Sequence, residues 1–367
     1  MQNKSKIYSK QKHKLGIINI VLSPFILFIF ILIGLPPYLR HIAVSVSTND
    51  YVNLFVFSAS IGFFYYVSTL PLSYYSEFIL EHRFSLSNQT LKDWIKREIK
   101  KTMVSLIIAM PLVYLVYTFI KYSPLYWWFL TAVSWFFVTI LIAKFAPIII
   151  VPLFYKYSRI KNNELKDRLS SLVSRAGFKA EGVYEINISK DTKKANAALL
   201  GIWRQKRILL CDTLLKNFST DEVECVMGHE LGHHRLRHIT KLILFNGIAT
   251  SIVFFLTNAT LSGFRDIAGY TQLHDFESLV MVYAIISALN IGVSPIQNAF
   301  SRKLEKDADT FALRLTGNKS AFISTMKKLS EQNLADPNPG RFYEIMLYNH
   351  PPISKRIAFA ESFKNIP

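Results

Sequence analysis

Long runs of apolar residues recur along the chain and are separated by polar segments. A helix needs roughly 20 apolar residues to cross about 30 Å of hydrocarbon. Six runs of about this length contain no Lys, Arg or His, and we predict that each is a transmembrane helix: residues 16–35, 51–72, 103–120, 125–142, 242–261 and 278–300. Six buried helices of a large soluble protein are a poorer interpretation, since charge-free runs this long are rare outside membranes. A shorter apolar stretch at 147–154 either lies at the interface or continues the fourth span.

The polar interval at residues 156–240 has the patterns of a small mixed domain. A helical period over 163–176 ends at a glycine, which is typical of a helix C-terminus. Three short stretches predict strands: residues 182–188, 195–200 and 207–211. Ser219 and Glu222 form a capping box, which predicts that a further helix begins there and continues through His233. The predicted fold class is a mainly α membrane protein with about six transmembrane helices and a small α+β domain.

The composition, with 51% hydrophobic and only 19% charged residues, agrees with a membrane protein. The net charge of +18 also indicates how the spans are oriented in the membrane. All but three of the 43 Lys and Arg residues fall on one side of the predicted spans, and the exceptions are Arg40, Lys121 and Arg265. Because positive loops stay in the cytoplasm, we predict that both termini and residues 144–241 are cytoplasmic. This interpretation is favoured over nucleic-acid binding, for which the chain has no motif. The two cysteines, Cys211 and Cys225, fit a reducing compartment.

One motif in the polar interval carries chemistry. His229 and His233 are four residues apart on the predicted helix, so their imidazoles project from one face. That spacing suits two nitrogen ligands of one tetrahedral zinc ion, and Glu230 can act as the general base. The alternative is an ordinary solvated helix face. The cations Arg235 and Arg237 follow the motif directly, which excludes the proteases that carry it inside an apolar span.

Zinc needs a third protein ligand and leaves its fourth position to water. A metzincin would have a further His at position 239, but the sequence has Ile239. His234 and His238 are candidates, although helical spacing turns both away from the first two ligands, and we interpret them as solvent or interface residues. Glu305 is the better candidate, because the last two spans form a hairpin that returns it to the level of the motif. Asp309 lies one turn further and could accept the other ring N–H of a zinc-bound histidine.

These residues predict a zinc metalloendopeptidase with one Zn²⁺ per chain, embedded in a lipid bilayer and acting on a peptide or protein substrate. We divide the chain into a membrane domain at 1–155, with four spans and an inner loop at 73–102, and a zinc-peptidase domain at 156–367 that includes the hairpin 241–300. An alternative from another class is a transporter or receptor with a structural metal. The spans lack basic residues, and the motif provides three ligands and a base, which favours the enzyme.

Nearly the whole chain resembles the integral-membrane gluzincins, whose eukaryotic members are the type I CAAX prenyl endopeptidases. The resemblance rests on five blocks beside the spans: His229-Glu-Leu-Gly-His233, Ser301-Arg302-x-x-Glu305-x-x-Ala308-Asp309, Asn196-Ala197, Glu81-His82-x-Phe84-x-x-Ser87-x-Gln89-Thr90 and His350-Pro351-Pro352-x-x-x-Arg356. It implies a zinc-peptidase domain of the gluzincin type.

The resemblance also implies roles for individual residues. His229, His233 and Glu305 would bind zinc, and Glu230 would be the general base. His350 and Arg356 would face the scissile carbonyl and support the oxyanion. Asn196 and Ala197 would lie on an edge strand that pairs with an extended substrate, although an ordinary strand is an equal alternative. For His350-Pro351-Pro352 the alternative is a helix start with Pro in its first turn.

The resemblance is incomplete in one respect. The eukaryotic members have seven spans around a large chamber, whereas six are predicted here, and a short Lys-rich tail replaces their first span. The usage of Lys, Ile and Asn is typical of a bacterium, so we expect a bacterial cytoplasmic membrane, where prenylated CAAX proteins are normally absent. The expected substrate is a membrane-associated or lipid-modified protein cut near the bilayer. The alternative is quality control of misfolded membrane proteins, as in the bacterial heat-shock membrane proteases.

Overall fold

A computed structural model describes residues 2–200, 205–264 and 270–364. Six helices within these ranges are long and apolar enough to cross a membrane, which confirms the six predicted spans. They are α1 (Gln2–Leu32), α3 (Asp50–Arg83), α4 (Leu91–Tyr122), α5 (Trp127–Phe154), α9 (His238–Leu261) and α10 (Phe276–Thr316). A shorter helix, α2 (Leu35–Val46), connects the first two spans.

The helices extend well beyond the apolar runs of the sequence. The predicted inner loop at 73–102 is mostly helical, since α3 continues to Arg83 and α4 begins at Leu91. The apolar stretch at 147–154 continues the fourth span through a π-helical turn at Ala146–Ile150. The Lys-rich N-terminal tail belongs to α1. An apolar pattern marks only the part of a helix that contacts hydrocarbon, so the polar turns at both ends were not predicted.

The basic residues at the sparsely charged ends of the spans are paired with acids. Arg40 contacts Asp275 at 3.2 Å and Glu277 at 3.4 Å, and Lys121 contacts Asp50 at 2.6 Å. These contacts tie together the helix ends at the membrane face opposite the polar domain. Arg265, the third cation predicted on that face, lies outside the described residues.

Outside the membrane spans, the second half of the chain forms a polar domain, which has a four-stranded sheet and seven helices within the described ranges. The strands are β1 (Tyr157–Arg159), β2 (Lys179–Ile186), β3 (Ala197–Leu200) and β4 (Gln205–Cys211). Their order is β1-β2-β4-β3; β2 and β4 are parallel, the other pairs are antiparallel, and β3 forms an edge. The helices are α6 (Asn163–Arg175), α7 (Asp212–Asn217), α8 (Thr220–Arg235), the end of α10, α11 (Lys319–Gln332), α12 (Arg341–Leu347) and α13 (Ile353–Ser362).

Helix α8 begins at the predicted capping box and packs into the core of this domain. The Ser219 amide donates to the Glu222 carboxylate at 2.7 Å, and the Glu222 amide donates back to the Ser219 hydroxyl at 3.4 Å. Leucines on α6 and β4 cover one side of α8 and form a shared buried cluster. The carboxyl-terminal half of α8 is thereby held rigidly between the sheet and α10.

Small residues bring α8 and α10 into backbone contact. A Cβ atom on Gly232 would lie 3.1 Å from the Cα of Ala308, and one on Gly228 would lie 3.3 Å from the Cα of Ala312. Both pairs are four residues apart, so they form matching stripes on the two helices. No larger side chain fits at this contact without moving the helices apart.

We expect Gly232→Ala to separate α8 from α10, because the added methyl group meets backbone atoms that cannot rotate away. The expected cost is about 1–3 kcal/mol of stability, as for other overpacked contacts, together with a lower metal content. Thermal unfolding in detergent and metal analysis of the purified protein measure the two effects. Gly62→Ala is the control, since a Cβ atom at Gly62 meets nothing within 4 Å. Wild-type stability and metal content in Gly232→Ala would contradict this account.

Candidate metal centre and active site

Two helices bring three potential metal ligands together. His229 and His233 project from α8, and their Nε2 atoms are 3.0 Å apart. Glu305 projects from α10, and its two carboxylate oxygens lie 3.2 Å from the Nε2 atoms of His229 and His233 respectively. The three side chains are buried or half-buried, and their ligand atoms all lie within 4.8 Å of one another. The hairpin of α9 and α10 therefore returns Glu305 to the level of α8, as the sequence predicts.

The geometry of these three side chains fits a divalent metal ion. Ligands placed tetrahedrally at about 2.0–2.1 Å from one ion are about 3.3 Å from each other. The spacing of 3.0 Å between the two ring nitrogens and the spacings of 3.2 Å from each nitrogen to the carboxylate are close to that value. Two imidazole nitrogens and one carboxylate oxygen form a donor set that suits a transition metal.

A second acid and a cation lie behind His229. Asp309 accepts from the Nδ1 of His229 at 2.8 Å, and its other oxygen accepts from the Nε of Arg356 at 2.8 Å. Asp309 is 1% exposed, so its charge requires the partner that Arg356 provides. This contact holds the ring of His229 so that its Nε2 faces Glu305 and His233.

Arg356 therefore does not lie where the resemblance placed it. The expectation was that His350 and Arg356 both face a substrate carbonyl, but Arg356 is buried and bound to Asp309 on the far side of His229. His350 lies on the open side, with its side chain 52% exposed and its Nδ1 atom 2.6 Å from a Glu305 oxygen. Pro352 caps α13 instead of opening its first turn, because the helix begins at Ile353.

His238 is a residue that sequence reasoning interpreted wrongly. It is fully buried, and its Nδ1 atom lies 3.1 Å from the Nδ1 of His233, so it contacts the second potential ligand much as Asp309 contacts the first. Helical spacing failed here because α8 ends at Arg235 and Arg237 has a positive φ of 55°, so the chain turns back toward His233. A left-handed Arg leaves no clear signal in a sequence. His234 reaches the Leu199 carbonyl at 2.9 Å.

The edge strand β3 runs beside α8. The Cys211 amide donates to the Asn196 carbonyl at 3.2 Å, so the backbone of Asn196 faces β4. Because backbone groups alternate along an antiparallel strand, those of Ala197 and Leu199 face the free edge. The contact of His234 with the Leu199 carbonyl lies on that side. The side chain of Asn196 is exposed, and that of Ala197 is buried.

Burial and nearby charges change the acidity of two groups at the centre. Burial raises the pKa of the Glu230 carboxyl above its usual range, although the histidines His229, His233 and His350 oppose the shift. Burial also disfavours the protonated form of His229, but the hydrogen bonds that its ring donates to the carboxylates of Asp309 and Glu305 outweigh this effect and raise the pKa of His229 to about 9. A carboxyl whose pKa is raised holds an accepted proton more firmly than an exposed carboxyl does, which suits a group that accepts and then passes on a proton.

Comparison with known proteins gives the family. The model of peptidase family M48 matches residues 159–364, and the model described as CAAX prenyl protease N-terminal, five membrane helices, matches residues 2–156. An uncharacterised metalloprotease of Bacillus subtilis is 29% identical over 98% of this chain and 85% of its own length. CAAX prenyl protease 1 of Saccharomyces cerevisiae is 29% identical over 97% of this chain and 84% of its own length.

A solved structure shows the same fold. The crystal structure of S. mikatae Ste24p superposes with a TM-score of 0.87 at 28% identity, over 99% of this chain and 89% of that one. The chain belongs to peptidase family M48 and is a multi-pass membrane metalloprotease. This membership excludes the alternative of a non-enzymatic transporter or receptor.

We expect Asp309→Asn to weaken metal binding by about 10- to 100-fold, because an amide holds the imidazole of His229 less firmly in the ligating tautomer. Competition with a chromogenic chelator measures the affinity. Thermal unfolding records separately the cost of leaving Arg356 unpaired in the interior. Asp167→Asn makes the same chemical change at an exposed position of α6 and should alter neither quantity. An unchanged metal affinity in Asp309→Asn would remove this residue from the centre.

Proposed function

We propose that this member of peptidase family M48 is a zinc endopeptidase whose centre consists of His229, His233 and Glu305, with one Zn²⁺ per chain. The observation that carries the proposal is the convergence of two Nε2 atoms and one carboxylate from α8 and α10. Three protein ligands with an open fourth position are typical of catalytic rather than structural zinc sites. Zinc, when bound, supplies Lewis-acid chemistry that polarises a carbonyl and makes water more acidic.

In this proposal Glu230 transfers a proton from the attacking water to the leaving amine. It follows His229 directly on α8, and burial raises its pKa toward the range in which a carboxylate can both accept and release a proton. The Glu230 carboxylate accepts a proton from the attacking water. The same carboxyl then delivers it to the nitrogen of the leaving amine, so one residue serves as base and as acid.

His350 and Arg356 have different tasks in this mechanism. The Nδ1 of His350 lies beside Glu305, which leaves Nε2 on the opposite, exposed edge of the ring. From there it donates to the oxygen on which negative charge develops. Arg356 supports catalysis indirectly, through Asp309 and the orientation of His229.

The free edge of β3 is the proposed binding site for the substrate backbone. An extended peptide adds to such an edge by main-chain hydrogen bonds, and the Ala197 carbonyl and the Leu199 amide point to this edge. The Ala197 amide donates to the Asn196 Oδ1 at 2.9 Å, and the Leu199 carbonyl is bound by His234. Asn196 lies at the start of the same edge with an exposed side chain that can contact the substrate. Because α8 lies directly beside β3, pairing in this register carries the scissile bond past Glu230.

The proposed location is a cytoplasmic membrane with the centre on the cytoplasmic face. The asymmetric distribution of Lys and Arg supports this orientation. Glu305 lies only five residues beyond Phe300, the last residue of the apolar run, which is about 7.5 Å along a helix. The substrate is therefore a membrane-associated or lipid-modified protein, cut near the bilayer. The names of the yeast, nematode and plant relatives as CAAX prenyl proteases support this class.

We expect Glu230→Gln to retain about one zinc per chain and to lose about 10²- to 10⁴-fold in kcat, the usual contribution of general acid–base catalysis. A quenched fluorescent peptide reports kcat, and metal analysis reports zinc. Glu224→Gln, on the same helix but paired with Arg168, is the matched control and should remain active. If Glu230→Gln cleaves within a fewfold of the wild type, the mechanism is wrong.

A second comparison tests the substrate class. We expect a farnesylated peptide to be cleaved with a kcat/KM at least about tenfold above that of the same peptide without the lipid, because the buried chain adds binding energy at about 0.8 kcal/mol per CH₂ group. Unfolded casein should be cleaved more slowly than either. Equal cleavage of all three by the purified enzyme in lipid nanodiscs would instead favour quality control of misfolded proteins.

A further inference from the structure

The segment that carries His350 lies along one face of α10. We refer to residues 344–356, from the end of α12 to the first turn of α13, as the C-terminal strap. Four side chains of α10 hold it, and they follow one another at intervals of four, three and four residues: Asn298, Arg302, Glu305 and Asp309. Such spacing places all four on one face of a helix. Two of them belong to the proposed metal centre, and the other two do not.

Arg302 and Asn298 bind the backbone upstream of His350. The Nη1 of Arg302 donates to the carbonyls of Glu344 at 3.0 Å and Tyr348 at 2.6 Å. The Nδ2 of Asn298 donates to the Met346 carbonyl at 2.8 Å. The Glu344 and Met346 carbonyls lie in the last turn of α12, where a positive charge is favourable, and Tyr348 follows directly after the helix.

The strap is also held downstream and from the side. Downstream, Arg356 is bound to Asp309, and Pro351 and Pro352 restrict the backbone between that contact and His350. From the side, the Nε2 of His13 on α1 lies 2.7 Å from the Tyr348 hydroxyl. The exposed His350 therefore sits between two fixed points, only two residues after the Tyr348 carbonyl that Arg302 binds.

Among the described residues, little else fixes His350. Its side chain is 52% exposed, so packing contributes little to its position, and its close contact is the Glu305 carboxylate. Two carbonyls bound by one guanidinium hold the backbone in a single register, which a flexible ammonium group reproduces only in part. A loss of this anchor would let His350 move relative to the centre without altering the ligands themselves.

We propose that Arg302 is a positioning residue for His350, with Asn298 in support. Helix α10 thereby fixes the position of the metal ligand Glu305 and also that of His350, which faces the substrate. The proposal rests on the function proposed above for His350. A displacement of about 1 Å can cost up to about 10²-fold in rate, so Arg302→Gln should lower kcat by about 10- to 100-fold. KM should change less than about threefold, and zinc content should remain at one per chain.

A double-mutant cycle with His350→Ala tests the proposal. If Arg302 acts through His350, Arg302→Gln should lower kcat by less than about threefold once His350 is absent. Arg302→Lys should recover part of the loss in the wild-type background. Lys303→Gln removes the same charge from the adjacent exposed position of α10 and should leave kcat unchanged. An equal loss from Arg302→Gln in both backgrounds, or none in either, would overturn the proposal.

Hydrogen exchange tests the positioning role of Arg302 independently of the proposed endopeptidase function. Amides 347–350 should exchange at least about tenfold faster in Arg302→Gln than in the wild type, whereas those of α8 should not change. This readout needs no substrate. A zinc-loaded wild type that cleaves no peptide would refute the proposed function, and exchange would still decide whether Arg302 fixes the strap. Unchanged exchange at 347–350 would show that it does not.

Discussion

The geometry of the centre depends on the backbone contact between α8 and α10. Gly228 and Gly232 face Ala308 and Ala312 at distances that leave no room for larger side chains. Each small residue on α8 is followed directly by a histidine, and the acids of α10 lie within one turn of its alanines. The contact therefore fixes how the two helices are aligned along their length, and this alignment places four polar side chains opposite one another: His229, His233, Glu305 and Asp309. The hydrogen bonds at the centre refine this placement, but they could not form if the helices were farther apart.

The membrane provides the second constraint. Helix α10 is a single helix of 41 residues, and it contains both a membrane span and the acids of the centre. Its polar end is held by α8, the strap and α11, whereas its apolar end is fixed by the bilayer. Since one continuous helix connects them, the separation along the chain between the centre and the hydrocarbon boundary is set by the rise of that helix. This constraint supports the proposed preference for substrates cut close to a membrane better than any single residue does.

Much of this arrangement could be predicted from local patterns. The six spans follow from the length of charge-free runs, and the meeting of His229 with Glu305 and Asp309 follows from helical spacing combined with an even number of membrane crossings. The positions of Arg356 and His238 could not be predicted. Arg356 is drawn inward by a buried acid 47 residues away in sequence, and His238 is redirected by one backbone angle at Arg237. Neither the tertiary contact of Arg356 nor the local turn at Arg237 leaves a periodic pattern in the sequence.

One face of α10 carries both the residues that hold the strap and the acids of the metal centre, so an insertion or deletion within this helix should be poorly tolerated. A one-residue insertion between Arg302 and Glu305 would rotate everything beyond it by about 100° relative to the span. Asn298 and Arg302 would still face the strap, but Glu305 and Asp309 would turn away from α8. Since the small residues that contact α8 lie beyond the same point, the helix could not rotate back without losing the membrane register. The number of residues in α10 and the rotation of its faces are therefore constrained together. This constraint is stricter than that on the identity of any one exposed side chain.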